Sequence, residues 1–446
     1  MQQNTTKTSN KLQKLLSIVF IFTFLITACT TKPKVIPDTS GRFIKLFGNA
    51  QDQQAYALDI TPDGGFICVG TSIDINKDAL GNDIPNPQFY LVKTDINGNK
   101  VWAQKYDYTG TARDVKVTPD GGYIILGDTT VTNKPRALPN AKDKDFYLLK
   151  VDANGIKLWD KIYGTPINDP LLATPPNPSI PPYYNDDLGY SISVAANGDM
   201  FFIGKVDLGT QSKAFVFKTD ATGNLIVGTE KIYGFAVGKN EVGAVQETLN
   251  GNNIWCGTTQ KRGDDEIRIA VLDKANNTVT TDYVIESEIS DEIGKDVKDL
   301  GSNNCIVVGT TNNATLSKGG KDIYLLKVFL ASGAGSEQVL WGGKGKTFGG
   351  VLDDEGTSVA VTKDGGFIIT GYTQVENKDN ADIILIKTNS EGVEQWRQTF
   401  GGEKNDYGVI VKQLADGGYV ILGTTRFDNN DMMCLIRTNS KGEILQ

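Results

Sequence analysis

The chain of 446 residues contains no histidine. That absence removes Ser-His and Cys-His nucleophile pairs, a histidine general base and histidine metal ligation from consideration. Segments with a sustained helical period are also missing, so no strand-turn-helix phosphate loop can form. Clustered lysine and arginine are lacking too. The formal charge of −8 argues against a nucleic-acid partner, which requires concentrated basic residues. Cysteine is sparse, with five residues. What is abundant is glycine, 49 residues, against a background of 39% hydrophobic and 22% charged residues that marks a folded globular chain.

The one long apolar run lies at the start. Lys7, Lys11 and Lys14 precede Leu15 to Ile26, and Thr27-Ala28-Cys29 follow. A basic start, a short apolar stretch and a small residue before the cut describe a secretory signal over residues 1–28. The run is too short for a membrane span, which needs about 20 residues. Ile26-Thr27-Ala28-Cys29 resembles a bacterial lipobox; the bland alternative is an ordinary signal peptide with an incidental cysteine. The resemblance implies cleavage before Cys29, acylation of its thiol (palmitate) and its new amino group, and a membrane anchor. Thr30 stands where an aspartate would retain such a lipoprotein at the inner membrane, so the implied address is the outer membrane of the cell envelope, facing the periplasm or the surface. Residues 29–41 read as a polar tether. Loss of the three leader lysines takes the mature charge to −11. The other cysteines, Cys68, Cys256, Cys305 and Cys434, each sit in an apolar run and are expected to be unpaired core thiols.

The rest of the chain repeats. Asp63-Gly64-Gly65 leads to Gly70, Asp120-Gly121-Gly122 to Gly127, Asp364-Gly365-Gly366 to Gly371 and Asp416-Gly417-Gly418 to Gly423. Weaker copies begin at Asn197, Asn250 and Ser302 and close at Gly204, Gly257 and Gly309. Each copy holds four strand-like runs joined by turn chemistry, which is the signature of a propeller blade. Residues 42–446 are therefore expected to form an all-β, seven-bladed β-propeller of four-stranded antiparallel blades. The last copy runs out before its fourth strand, and Arg42-Phe43-Ile44-Lys45-Leu46-Phe47-Gly48 matches Trp396-Arg397-Gln398-Thr399-Phe400-Gly401. An N-terminal strand should thus complete the last blade and close the ring, limiting exposed sheet edges.

These repeats resemble the β-propeller repeats of secreted and lipid-anchored proteins of Bacteroidota-like bacteria, whose unit runs Asp-Gly-Gly, apolar strand, Gly-Thr-Thr, Lys-Thr-Asp, Asn-Gly, Trp, Tyr-Gly. The likeness covers about residues 42–446 and implies fold; most such proteins have no assigned function. The WD40 Gly-His signature is absent, and Trp159-Asp160 occurs once.

Residues that recur from copy to copy have a scaffold role open to them beside any functional one. Asp187, Glu241, Glu292, Asp354 and Asp406 precede the first strand of five copies, nine or ten residues before the turn. They would either ring the channel mouth as a cation-binding or cation-steering set, or accept backbone N–H bonds at each blade joint. Lys93, Lys150, Lys218, Lys327, Lys387 and Arg437 end third strands and should pair with acids or lie solvated. Trp102, Trp159 and Trp396, with Phe43 in their place in the closing blade, should pack between blades. Asp74 to Gly81 has oxygen-bearing residues at alternate positions, but its glycine falls at position eight and a bidentate glutamate is missing, so it departs from a calcium loop.

Non-repeated parts are the better functional candidates. The long connections between second and third strands, and residues 164–187, would open on one face. The latter hold seven of the fifteen prolines, followed by Tyr183, Tyr184, Asp186 and Asp187. They form either a clamp for a ligand or a tolerated insertion. The leading expectation is a non-catalytic binding or scaffolding propeller, a monomer without cofactor or bound metal, recognising a protein or glycan partner through this loop-rich face. The alternative is a carbohydrate-active hydrolase or lyase using paired carboxylates at the channel mouth, such as Asp186 with Asp354.

Overall fold

A computed structural model describes residues 43–48, 51–78, 80–131, 143–164, 186–207, 211–234, 239–261, 263–286, 290–330, 338–375 and 380–445. The leader, Cys29, the tether, Tyr183, Tyr184 and the proline-rich segment lie outside the described residues.

The described chain is an all-β propeller arrangement of antiparallel sheets. Strands β1 (Ile44–Phe47), β2 (Asp52–Ile60), β3 (Phe66–Lys77), β4 (Asp83–Thr94) and β5 (Lys100–Val117) open it. The second copy continues with β6 (Tyr123–Val131), β7 (Asp143–Val151) and β8 (Lys157–Tyr163), and the third holds β9 (Asp186–Val194), β10 (Met200–Asp207), β11 (Ser212–Thr219) and β12 (Lys231–Tyr233). The fourth comprises β13 (Asn240–Glu247), β14 (Asn253–Lys261), β15 (Asp264–Leu272) and β16 (Val279–Ile285). The fifth has β17 (Glu292–Gly301), β18 (Asn304–Thr311), β19 (Asp322–Phe329), β20 (Gln338–Val339) and β21 (Lys346–Phe348). The last two hold β22 (Asp354–Val361), β23 (Phe367–Gln374), β24 (Ala381–Thr388), β25 (Glu394–Phe400), then β26 (Asp406–Gln413), β27 (Tyr419–Phe427) and β28 (Asn430–Thr438).

The expectation of seven separate four-stranded sheets needs correcting. Five sheets of four or five strands stand alone, while β2 to β8 form one seven-stranded sheet. The reason is β5, which runs unbroken for 18 residues. Its Tyr106 to Thr111 stretch is aromatic and β-branched apart from Asp107 and Gly110, so the outer strand of one copy continues directly into the first strand of the next. At the chain ends, β1 pairs antiparallel with β28, Ile44 opposite Ile436 and Phe47 opposite Met433. The first strands contact one another in the order β2, β5, β9, β13, β17, β22, β26, and β26 contacts β2.

Each first strand carries a β-bulge where it meets the closing glycine of the second. The register shifts at Ala55/Ala57, Ala112/Asp114, Gly189/Ser191, Val242/Val245, Gly294/Asp296, Gly356/Ser358 and Gly408/Ile410. The bulge drives a carbonyl oxygen onto the glycine: Gln54 onto Gly70, Thr111 onto Gly127, Leu188 onto Gly204, Glu241 onto Gly257, Ile293 onto Gly309, Glu355 onto Gly371 and Tyr407 onto Gly423. A Cβ at any of these positions would collide with backbone, which is why the repeat closes on glycine.

The residue after the bulge ties neighbouring first strands together. Asp114 Oδ2 accepts from Ser191 Oγ at 3.0 Å and the Ile192 N–H at 2.9 Å, and Ser191 Oγ accepts from the Val245 N–H at 3.2 Å. Asp296 repeats this with Ser358 at 3.0 Å and the Val359 N–H at 3.0 Å. Asp59 joins the chain ends: it accepts from the Val117 N–H at 2.9 Å and from Lys412 Nζ at 2.6 Å.

At the outer edge the aromatic rings expected between blades are there. Phe43, Trp102, Trp159 and Trp396, joined by Trp341, lie against Gly98, Gly155, Gly223, Gly442 and Gly392, the positive-φ glycines of the adjacent turns. Four of the six third-strand cations pair with turn acids: Lys93 with Asp63, Lys150 with Asp120 and Lys387 with Asp364, each at 2.8 Å, and Arg437 with Asp416 at 2.6 Å; the turns facing Lys218 and Lys327 carry Asn197 and Ser302. These lysines are buried while the acids are half-exposed. The lysine hydrogen bond holds the Asp63 carboxyl down at about 2, and Asp120 and Asp364 sit at about 2 because their lysine bonds overcome burial. Cys68, Cys256, Cys305 and Cys434 are buried and unpaired, as their apolar runs suggest.

The bulge contact gives a test. Replacing Gly371 with alanine forces a Cβ into the Glu355 carbonyl and should cost about 1–3 kcal/mol in urea unfolding. Gly402→Ala, where nothing lies within 4 Å, should stay within about 0.5 kcal/mol. Equal stability of the two variants would refute the contact's importance.

Candidate functional site

The structure separates the sequence candidates by depth. Asp187, Glu292, Asp354 and Asp406 are buried, at 1%, 3%, 0% and 2% exposure. All four stand seventeen residues before a closing glycine. Asp354 Oδ2 accepts from the Gly350 N–H at 2.8 Å, and Asp406 Oδ2 from the Gly402 N–H at 2.8 Å. Asp406 also accepts from Thr425, and Glu292 accepts from Ser290 at 2.7 Å and Thr311 at 3.1 Å. These are joints between strands and turns, and at this depth they do not present oxygens to a dissolved cation.

Glu241 is displaced from that set. The seventeenth position of its copy is Asn240, which accepts from Thr259 Oγ1 at 2.8 Å and donates to the Ser212 carbonyl at 2.6 Å. Glu241, one residue on, is half-exposed and ion-paired with Lys205 at 2.9 Å. Asp186 accepts from the Lys144 N–H at 3.2 Å. Asp186 and Asp354 are not the carboxylate pair the structure brings together. The pairs it does form are Asp322 with Asp354, crowding Gly349, and Asp382 with Asp406, crowding Gly401. Asp322 Oδ1 and Asp354 Oδ1 have no hydrogen-bond donor among the described residues. Burial raises both carboxyls, and Asp322 further raises Asp354. Burial also lifts Asp406 to about 6. Protonation of one partner relieves the repulsion of two buried charges.

The calcium-like stretch is likewise committed to structure. Asp74 pairs with Lys105 at 2.8 Å, and both oxygens of Asp78 accept from the Leu80 N–H and from Asn82 across the hairpin turn.

A different cluster gathers half-buried polar and aromatic side chains. The extra residue of each bulge lies fourteen residues before the closing glycine: Tyr56, Arg113, Tyr190, Gly243, Lys295, Thr357 and Val409. Across the first three copies these side chains meet. The Arg113 guanidinium lies 5.8 Å from the Tyr56 ring centre and 5.0 Å from that of Tyr190. Its Nε donates to the buried Asp128 at 3.1 Å, and Lys144 approaches the same carboxylate at 3.3 Å. Burial raises the phenol pKa values of Tyr56 and Tyr190, while the Arg113 charge opposes the rise. The Lys205–Glu241 pair adjoins, with both charges acting on Tyr190. The sequence reading missed this cluster because its residue type changes in every copy; the fixed offset from the glycine was the signal available.

No protein-family model matches the chain, and no curated protein matches it. Among solved structures, the polysaccharide lyase Uly1 is similar in fold, at 11% identity over 93% of this chain and 95% of that one, with a TM-score of 0.50. A Bacteroides caccae protein of unknown function matches at 11% identity over 70% and 89% of the two chains, with a TM-score of 0.39. Chaetomium thermophilum Sqt1 bound to the N-terminus of ribosomal protein L10 matches at 11% identity over 90% and 88%, with a TM-score of 0.44.

Asp406 yields a pH prediction. Its carboxyl titrates near 6 in the folded chain against about 3.9 when unfolded. The folded state therefore holds the proton longer, and stability from this group falls as pH rises from about 4 to about 6. Asp406→Asn should remove that fall and gain about 3 kcal/mol at pH 7.5 in thermal unfolding, the amide serving as it does at Asn240. Parallel pH profiles for the two proteins would contradict the burial of an ionising group.

Proposed function

We propose that the chain is an envelope lipoprotein whose seven-bladed propeller is a non-catalytic scaffold for binding a glycan or protein. In this reading the seven-stranded sheet is two blades sharing β5, and β1 closes the ring through β28. The seven first strands, each with one bulge, support the count. The leader and Ile26 to Cys29 support lipidation at Cys29 and the outer-membrane address.

The single observation carrying the binding role is Arg113 held between the rings of Tyr56 and Tyr190, beside Lys205 and Glu241. The scaffold position is fixed in all seven copies, and its side chain is free to vary, so it is where a recognition surface can be cut without disturbing the fold. Flat aromatic faces with interspersed hydrogen-bonding charges suit a hydroxyl-rich or peptide ligand. The segment bearing Tyr183 and Tyr184 enters β9 just before Tyr190, which puts the proline-rich insertion next to the cluster in sequence.

The enzymatic alternative has less support. The carboxylates that meet, Asp322 with Asp354 and Asp382 with Asp406, are buried from solvent, and Asp186, the partner expected for Asp354, accepts from the Lys144 N–H.

A glycan array and an envelope-protein array probed with the mature chain should show ligands whose signal falls about tenfold or more in Arg113→Ala. Undiminished signal for every ligand would place recognition elsewhere. Labelled palmitate should enter the full-length protein and fail to enter Cys29→Ser; equal labelling would remove the anchor.

A further inference from the structure

Four turns carry an acid that neutralises the third-strand cation of their own copy. The third copy keeps the lysine, Lys218, and replaces the acid by Asn197. Asn197 turns inward on the loop, its Nδ2 donating to Asp199 at 2.8 Å and its Oδ1 accepting from the Asp199 N–H at 3.0 Å. Lys218 Nζ is left donating to the Lys274 carbonyl, and Lys274 Nζ to the Asn250 carbonyl at 3.4 Å. Neither ammonium reaches a carboxylate among the described residues. Burial outweighs the pull of Asp199, Glu247 and Asp273 and lowers the Lys218 pKa, which marks a cation short of compensating charge.

Both lysines line a pocket of about 340 Å³ between the third and fourth copies. Ser193, Asn197 and Asn253 add neutral hydrogen-bonding groups, and Asp199 and Glu247 add acceptors. The volume is at the small end of ligand sites, about 300–1,000 Å³, so it admits one or two residues of a chain and no folded partner. The pocket is formed by the turns between first and second strands, away from the Tyr56–Arg113–Tyr190 cluster.

We propose that this pocket binds a hydroxylated carboxylate, the uronate residue of an acidic glycan. Lys218 and Lys274 take the carboxylate in the place left by the missing turn acid, and Asp199, Glu247 and Asn253 accept from ring hydroxyls. The ligand supplies the charge that Asp63, Asp120 and Asp364 supply within their own copies.

Isothermal titration of the mature chain with hexuronate oligosaccharides tests it, with the matching neutral oligosaccharides, sodium sulfate and free glutamate as separate arms. Hexuronate should bind, the neutral sugar at least about tenfold more weakly, and sulfate and glutamate should not compete at equal concentration. Asn197→Asp, which restores the internal ion pair, should raise the melting temperature and weaken hexuronate about tenfold or more; Lys218→Met should weaken it as much without that rise. Arg113→Ala should leave it unchanged, so failure here is separable from failure of the cluster reading. No hexuronate binding, unchanged binding in Asn197→Asp, or equal competition by glutamate or sulfate would each overturn the assignment.

Discussion

One backbone contact organises this propeller: the carbonyl that each first-strand bulge presses onto the glycine of the second strand. Inserting one residue bends and twists the first strand, and only a residue without a Cβ accepts the carbonyl that the bend displaces. The same bend presents the next side chain sideways, where Asp114 and Asp296 reach the neighbouring first strand, and Asp59, three residues beyond the first copy's bulge, reaches Val117 and Lys412. Sheet-to-sheet attachment therefore follows from a local deformation within each sheet. The outer edge adds a second clasp, with Trp102, Trp159, Trp341 and Trp396 laid on the turn glycines of the next copy and Phe43 doing so from the start of the chain.

Much of this was readable in the residues. The period, the four runs per copy, the turn chemistry and the aromatic clasps all involve a residue type that physics requires at a fixed place. The match between Arg42–Gly48 and Trp396–Gly401 likewise anticipated the pairing of β1 with β28. The continuity of β5 was hidden by Asp107 and Gly110, which read as a break between copies, while the aromatic and β-branched residues around them carry the strand through. Glu241 misled for a related reason. An acid beside the repeat position looks equivalent in sequence, but in a strand a shift of one residue turns the side chain to the opposite face, so Asn240 does the structural work. Burial of Asp354 and Asp406 was equally hidden, since it depends on the glycine loops that fold over them.

The two classes of acid in the repeat have opposite electrostatic fates. Turn acids at Asp63, Asp120 and Asp364 meet a buried lysine at the protein surface and are held ionised. Joint acids such as Asp354 and Asp406 meet another carboxyl in the interior and resist ionisation. The former stabilise the fold above about pH 4, the unfolded carboxylate range, and the contribution of the latter is whole below about pH 4 and is lost as pH rises towards their raised pKa values. A repeat that recruits aspartate twice thus spreads its pH response over a wide range.

Repetition also shows where a scaffold is free to change. A position demanded by the bulge stays glycine in seven copies. The extra bulge residue faces no such demand, and it ranges from Gly243 through Val409 to Arg113 and Tyr190. The turn acid is intermediate: it can be dropped if its cation is dropped too, as in the fourth copy, where Val271 stands opposite Ile254 and no lysine remains. The third and fifth copies instead keep the cation, Lys218 beside Asn197 and Lys327 beside Ser302, and at Lys218 a pocket opens where other copies close an ion pair. Lys218 is half-buried and without a carboxylate partner among the described residues, and because it lines the pocket, its charge is open to a group from outside the fold.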